Sequence, residues 1–362
     1  MNQSEKIRVA INGFGRIGRA FFKLASANSQ IEVVAINDLA TAENLIYLLK
    51  YDTIYPSFSG ARYEGGKFHC DQKEISFFNE PDPRQLPWQD LRVDVVIEAT
   101  GVFETYQKAN AHIEAGAKRV ILTAPVKEEG GADCRPPEAD DNPPSAIQIP
   151  NYALTGKTIL MGINEEELKD CQISANGSCT TNAVSPVLRI LNQSIGIEKA
   201  ILNTIHSYTA TQKLVDSPAK KDFRKGRAGA QNIIPSTTGA AIATTLAIKE
   251  LKGKFDGLAL RVPTVLGSIV DLTFIAKRVV TAEEINKILA EASQKEEWQD
   301  IFTTTTEPIV SSDIIGNSHA SIADLSLTKV VDGTLVKVLI WYDNELGYAQ
   351  TLVKHLLKTA QI

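Results

Sequence analysis

Cys179 stands in the run Ser178-Cys-Thr-Thr-Asn182, just ahead of a stretch from Val184 to Asn192 that reads as a helix. A thiol at a helix start has its thiolate stabilised by the helix dipole and by free backbone amides. A cysteine among small polar residues is more often inert, so a nucleophile there needs a base. Among five histidines, His206 closes the strand-like run Ala200-Ile-Leu-Asn-Thr-Ile205. Strand ends are where catalytic groups gather in α/β folds. His69 and His112 sit in less telling surroundings, and His319 and His355 lie far down the chain. A Cys179–His206 pair would give a thiolate–imidazolium at neutral pH, with the imidazole able to shuttle a proton. The residues alone leave open whether the two meet.

A second chemistry is written near the start. Gly13-Phe-Gly15-Arg-Ile-Gly18 fits GxGxxG, follows the short apolar run Ile7–Asn12 and opens the helical stretch Arg19–Ala25. The run Ile31–Ile36 follows as a second strand, and Asp38 stands 20 residues after Gly18. A lone GxGxxG is weak evidence, but this order marks a dinucleotide site. The glycines provide a tight turn, backbone approach to the pyrophosphate and close helix–strand packing, and the helix start offers amides to the phosphates. Asp38 would accept hydrogen bonds from the ribose hydroxyls and repel a 2′-phosphate, which favours NAD over NADP. As a plain alternative, Asp38 caps the segment after it.

Positioning these groups requires a parallel sheet first. Strand, glycine turn, helix and strand within about 30 residues make a βαβ unit. Val93–Glu98 and Arg119–Thr123 read as further buried strands, with a helix around 108–115 between them. The first part is therefore α/β, a Rossmann-type doubly wound parallel sheet. Residues 127–150 break the pattern with prolines, two glycines and acidic residues, and read as a solvated loop. From about Lys199 longer strands dominate, at Ala200–Ile205, Phe255–Val262, Ser268–Ala276 and Leu335–Trp341, with a helix at Thr281–Ala292. That texture predicts an α+β domain with a mixed or antiparallel sheet. The last stretch, Tyr348 to Ala360, is an amphipathic helix. The expected division is an NAD-binding domain over 1–178, completed by 344–362, and a catalytic domain over 179–343.

Composition excludes other classes. The chain has 362 residues, 43% hydrophobic and 22% charged, with a net charge of -5. This suits a soluble enzyme and gives no long-range pull toward nucleic acid. No apolar run approaches the roughly 20 residues a membrane helix needs. The opening residues Met1–Lys6 lack the pattern of a secretory signal, so a cytoplasmic location is expected. Four scattered cysteines, Cys70, Cys134, Cys171 and Cys179, show neither a disulfide framework nor metal spacing.

Several longer motifs occur together: Ile11-Asn-Gly-Phe-Gly-Arg-Ile-Gly-Arg19, Ser178-Cys-Thr-Thr-Asn182, His206-Ser-Tyr-Thr-Ala-Thr-Gln-Lys213, Gln231-Asn-Ile-Ile-Pro-Ser-Thr-Thr-Gly239, Arg261-Val-Pro-Thr264 and Trp341-Tyr-Asp-Asn-Glu345. In this order they resemble the phosphorylating, NAD-dependent glyceraldehyde-3-phosphate dehydrogenase family, over nearly the whole chain apart from 127–150. The resemblance implies that Cys179 attacks the aldehyde and that His206 takes the hydroxyl proton as hydride leaves for NAD. It implies a thioester, then cleaved by inorganic phosphate to 1,3-bisphosphoglycerate. It places Thr209, Thr211 and Arg261 around the substrate phosphate, and Ser178, Thr180, Thr238, Gly239 and Lys225 around the attacking phosphate. It assigns the cofactor to Gly13, Phe14, Gly15, Arg16, Ile17, Gly18, Asp38, Thr100, Gly101, Thr123, Asn344 and Tyr348. It also implies a homotetramer, with the cationic segment 213–230 packed against neighbouring subunits. For Ser236–Gly239 a plain helix cap is compatible with anion binding, and Trp341 and Tyr342 are expected in the core.

Departures from the family pattern bear on these roles. Lys225 stands where Arg is usual, which keeps the charge but loses the bidentate fork. Pro81 stands where an Arg often lies beside the adenine. Ala183 replaces a frequent cysteine and Leu346 a frequent Trp, and 127–150 is longer than the family leads one to expect. An erythrose-4-phosphate dehydrogenase shares the Cys–His chemistry, but typically has Glu near Asp38 and lacks the run Ser236-Thr-Thr-Gly-Ala-Ala241. A Rossmann semialdehyde dehydrogenase would lack the 206–213 segment. A catalytically silent NAD-binding protein would have no need of intact Cys179, His206, Arg261 and Asn344.

Overall fold

The computed structural model describes residues 6–64, 67–71, 73–126, 156–220 and 222–362. The proline-rich loop expected at 127–150, and Cys134 within it, lie outside the described residues.

In β1 (Ile7–Asn12), Val9 and Ile11 enter one hydrophobic core and Ala10 another, so both faces are covered. That is the environment of a buried parallel strand. Its sheet also contains β2 (Ile31–Asn37), β3 (Ala61–Glu64), β4 (Lys67–Cys70), β5 (Lys73–Phe78), β6 (Val95–Glu98), β7 (Arg119–Leu122), β8 (Gly156–Thr158) and β9 (Ile173–Ala175). The spatial order is β3-β4-β5-β2-β1-β6-β7-β9-β8. From β5 to β8 every pairing is parallel, and β3, β4 and β5 form an antiparallel edge. Helices α1 (Arg16–Ala27) and α2 (Ala42–Lys50) pack on one face, and α3 (Tyr106–Glu114) on the other. The sheet is doubly wound, and its strand order reverses between β1 and β6.

α4 (Cys179–Ser194) then leads into β10 (Ile197–Ser207), β11 (Ile234–Thr237), α5 (Ala240–Ala247), β12 (Phe255–Val262), β13 (Ser268–Ala276), α6 (Ala282–Ala292), β14 (Phe302–Thr305), β15 (Ser321–Val331) and β16 (Leu335–Tyr342). Their sheet is mixed, in the order β11-β12-β10-β13-β16-β15-β14. In β13 and β16 every second residue is buried under α4, α5 and α6, while the opposite face is open. On that face Ile201 is 55% and Leu258 43% exposed. The final helix, α7 (Leu346–Thr359), returns to the first sheet and packs on α1. Among the described residues no helix is long and apolar enough to cross a membrane.

The main difference from expectation concerns α4, which starts at Cys179 rather than Val184. Ser178 Oγ accepts the Thr181 N–H at 3.1 Å, and Thr181 Oγ1 accepts the Ser178 N–H at 3.2 Å. This reciprocal cap satisfies first-turn donors, and the helix contains Pro186 in its interior. The cap places the cysteine in the first turn.

Candidate active site

The glycine-rich turn has the shape that its residues predict. Gly13 has φ +94°, and a Cβ there would lie 2.6 Å from the Thr100 amide nitrogen. A Cβ on Gly18 would lie 2.2 Å from the Gly13 carbonyl oxygen, so only glycine allows α1 this close to β1. Gly15 faces open space and supplies no side-chain cap, leaving the first amides of α1 without a side-chain acceptor. Asp38, just past β2, accepts the Phe14 N–H at 2.7 Å and the Ala40 N–H at 2.9 Å. Thr100 and Gly101 are exposed just past β6, and Thr123 follows β7. The open cradle at Gly15, the bare amides and the half-exposed carboxylate fit a dinucleotide laid across the carboxyl ends of these strands.

Three expected cofactor residues contribute less than expected. The Phe14 ring is 1% exposed and packs edge-on against Phe22 and Phe68, so only its backbone can meet a ligand. The Arg16 guanidinium is held by Asp52 at 2.9 Å and by Glu345 at 2.7 Å, so of Arg16 only the backbone amide is left to face the glycine cradle. Tyr348 is buried, and its hydroxyl donates to the Gly177 carbonyl at 3.0 Å. Asn344 is better placed. Its Oδ1 accepts from Ser207 Oγ at 2.9 Å, Ser268 Oγ at 3.0 Å and Gly267 N at 3.2 Å. Gly267 N can only donate, which fixes the amide orientation and leaves Nδ2 as a donor for a carboxamide oxygen.

α4 and β10 bring Cys179 and His206 together: Sγ lies 3.4 Å from Nε2. The other imidazole nitrogen, Nδ1, lies 2.7 Å from the Ser207 carbonyl oxygen and 2.6 Å from Arg261 Nη1. Tyr342 lies edge-on to the ring. Burial pushes the Cys179 thiol up, opposed by the Arg261 cation and by the backbone N–H groups of Cys179 and Thr180. Burial and then Arg261 pull His206 down to about 3. Each shift taken alone favours the uncharged form of its group, while the 3.4 Å Sγ–Nε2 distance is short enough for a proton to pass from thiol to imidazole.

The residues expected to bind anions divide. Thr209 and Thr211 follow β10 with their hydroxyls 2.9 Å apart. Arg261 on β12 is in register with His206 at the same sheet end, and its Nε is buried without a partner among the described residues. A buried donor of this kind is costly unless an acceptor arrives. Ser178 is half-exposed at the α4 cap, and Thr238 Oγ1 accepts the Ala240 N–H at 3.2 Å at the start of α5, beside exposed Gly239. Both readings of Ser236–Gly239, cap and anion site, are compatible with this geometry. Lys225 sits in a short 3₁₀ turn, Phe223–Gly226, beside β11, and its ammonium makes no ion pair among the described residues. Thr180 departs from expectation. It is 3% exposed, and its hydroxyl bonds Tyr342 Oη at 3.0 Å, so it belongs to the packing beside Cys179.

Sequence reasoning missed the polar contacts of Tyr342, which also bonds Thr204 at 2.7 Å, and the Ser207, Gly267 and Ser268 donors that aim Asn344. Alternation places Tyr342 in the core, and no local pattern reveals its hydroxyl partners.

Comparison with known proteins matches the chain to one family. Residues 7–106 match the family model described as the glyceraldehyde 3-phosphate dehydrogenase NAD binding domain, and residues 178–344 match its C-terminal domain. The chain is 46% identical over 353 residues to glyceraldehyde-3-phosphate dehydrogenase of Thermotoga maritima, covering 96% of this chain and 98% of that protein. It is 43% identical over 352 residues to glyceraldehyde-3-phosphate dehydrogenase 2 of Bacillus subtilis, covering 96% and 95%. With Borreliella burgdorferi glyceraldehyde-3-phosphate dehydrogenase it shares 43% identity over 355 residues, covering 96% and 98%. A thiol at a capped helix start, an imidazole on the facing strand and an NAD-binding domain beside them thus coincide with full-length sequence similarity, and the chain belongs to the glyceraldehyde-3-phosphate dehydrogenase family.

Proposed function

We propose that this protein oxidises D-glyceraldehyde 3-phosphate to 1,3-bisphosphoglycerate with NAD and inorganic phosphate, a step of glycolysis and gluconeogenesis. The observation that carries the reading is the 3.4 Å approach of Cys179 Sγ to His206 Nε2 at the start of α4. Thr209, Thr211 and Arg261 hold the substrate phosphate. His206 takes the thiol proton as Cys179 Sγ bonds the aldehyde carbon, and returns it to the carbonyl oxygen. The Cys179 N–H and His206 steady the developing oxyanion. His206 then takes the hydroxyl proton as the carbon loses hydride. NAD, when bound at the glycine cradle, supplies the hydride acceptor, and Asn344 Nδ2 orients its carboxamide. The thioester keeps the free energy of oxidation until a phosphate oxygen, held by Ser178, Thr238, Gly239 and Lys225, displaces the thiolate. Splitting one difficult reaction into two is the benefit of the covalent route.

The two sheets and the family-model limits support a division into residues 1–178 with 344–362, and 179–343. The open face of the second sheet, and exposed Leu214, Val215 and Phe223, support a homotetramer. A cytoplasmic setting fits an enzyme that draws on free NAD. The test follows NADH absorbance with glyceraldehyde 3-phosphate, NAD and phosphate, then with erythrose 4-phosphate, then with NADP. The triose with NAD should be fastest; faster turnover of the four-carbon sugar would overturn the substrate assignment.

A further inference from the structure

Beneath the glycine cradle lies a buried carboxylate that the chemistry does not use. Glu98 is 3% exposed at the carboxyl end of β6, next to β1, where the strand order reverses. Ligands of doubly wound sheets bind above this point. Glu98 Oε1 accepts the Thr100 N–H at 2.8 Å and the Thr100 hydroxyl at 2.5 Å. Oε2 accepts from Asn12 Nδ2 at 2.6 Å and lies 3.0 Å from His112 Nε2.

The tautomer of His112 follows from its other neighbour. Trp88 Nε1 lies 3.0 Å from His112 Nδ1 and can only donate, so Nδ1 is an acceptor and Nε2 carries the proton given to Glu98. Four donors therefore converge on one carboxylate, as a buried charge requires. The chain of bonds continues sideways. Asn12 Oδ1 accepts from Asn37 Nδ2 at 2.7 Å, and Asn37 exchanges bonds with the Glu80 backbone at 2.9 Å. Asn12 precedes Gly13 and Asn37 precedes Asp38, while Thr100 adjoins Gly101. One carboxylate thus ties together the three strand ends that carry the glycine turn, the ribose carboxylate and the loop after β6.

We propose that Glu98, clamped by His112, is a positioning residue for the dinucleotide site, holding Gly13, Asp38 and Thr100 in their binding arrangement. The proposal rests on the cofactor site assigned above. Glu98→Gln keeps the shape but cannot offer acceptors to all four donors: with its oxygen toward Asn12 and His112, its amide faces the Thr100 N–H.

NAD affinity is measured by fluorescence titration of the full-length protein, with KM and kcat alongside. Glu98→Gln should raise the NAD dissociation constant and KM for NAD about tenfold, the scale of one charged hydrogen bond. At saturating NAD, kcat and KM for the triose should stay within about twofold. His112→Gln should also weaken NAD binding, and the double variant should fall short of the product of the two single effects, because the residues act as a unit. Unchanged NAD affinity in Glu98→Gln, or equal losses in KM for both substrates, overturns the proposal. If Glu98→Gln yields no folded protein, His112→Gln carries the test: it removes the His112 bond to Glu98 without touching a residue assigned to the cofactor, and wild-type NAD binding there overturns the proposal. Wild-type protein that fails to bind NAD refutes the function instead.

Discussion

Arg261 Nη1 lies 2.6 Å from His206 Nδ1, on the side of the imidazole away from the thiol. The two residues are partners on adjacent parallel strands, so the sheet itself presses a cation against the imidazole. A guanidinium only donates, which asks Nδ1 for a lone pair, whereas the Ser207 carbonyl at 2.7 Å asks it for a proton.

That competition predicts the effect of Arg261→Gln. Removing a cation raises the imidazole pKa, so the acid limb of kcat/KM should move to higher pH. Non-phosphorylated glyceraldehyde makes the measurement independent of the substrate phosphate. With the phosphorylated triose, KM should rise at least about tenfold for loss of a charge-assisted contact. An acid limb at the wild-type position would contradict the electrostatic role.

Cys179 should be the thiol whose alkylation abolishes turnover. Cys70 and Cys171 are free but buried, and burial pushes both thiols up. Cys179→Ser should lower kcat by about a thousandfold or more. Iodoacetamide labelling, followed by peptide mapping against residual activity, should track residue 179. Because burial raises this thiol too, labelling should accelerate through the alkaline range, and Arg261→Gln should slow it at fixed pH. Inactivation without label at 179 would sink the assignment.

Lys225 offers a point charge where a fork would grip phosphate in two places. Lys225→Arg should lower KM for inorganic phosphate about threefold or more, leaving KM for NAD in place. A steady-state phosphate titration decides, and a poorer value would remove Lys225 from the phosphate site.

His355 couples stability to pH. Burial pulls both His355 and His206 down to about 3, against an ordinary value near 6.5. Between these values the unfolded chain binds protons that the folded chain refuses. The stability they contribute is whole above about pH 6.5 and is lost as pH falls toward 3, at about 1.4 kcal/mol per pH unit for each histidine. His355 bonds Ser174 at 2.8 Å and Asn176 at 3.0 Å, away from the nucleophile. Urea unfolding of His355→Gln at pH 7 and pH 5 should show a loss about 2 kcal/mol smaller than wild type. Equal losses would exclude His355 as a contributor.

The sequence by itself determined the strands whose burial is continuous or strictly alternating: β1 and β13 lie where their patterns put them, because periodicity is a local consequence of which faces are covered. It likewise determined the glycine turn, since only glycine tolerates the backbone of Gly13 and the contact at Gly18. Tertiary structure decided the rest. Cys179 meets His206 only because α4 and β10 converge, and His206 meets Arg261 only through the register of β10 and β12. The Glu98 network joins Asn12, Asn37, Trp88, Thr100 and His112 across separate elements, so His112 looked unremarkable in its own neighbourhood. The charge state of the thiol–imidazole pair also belongs to the fold, because desolvation depends on everything packed around it and on no single stretch of chain.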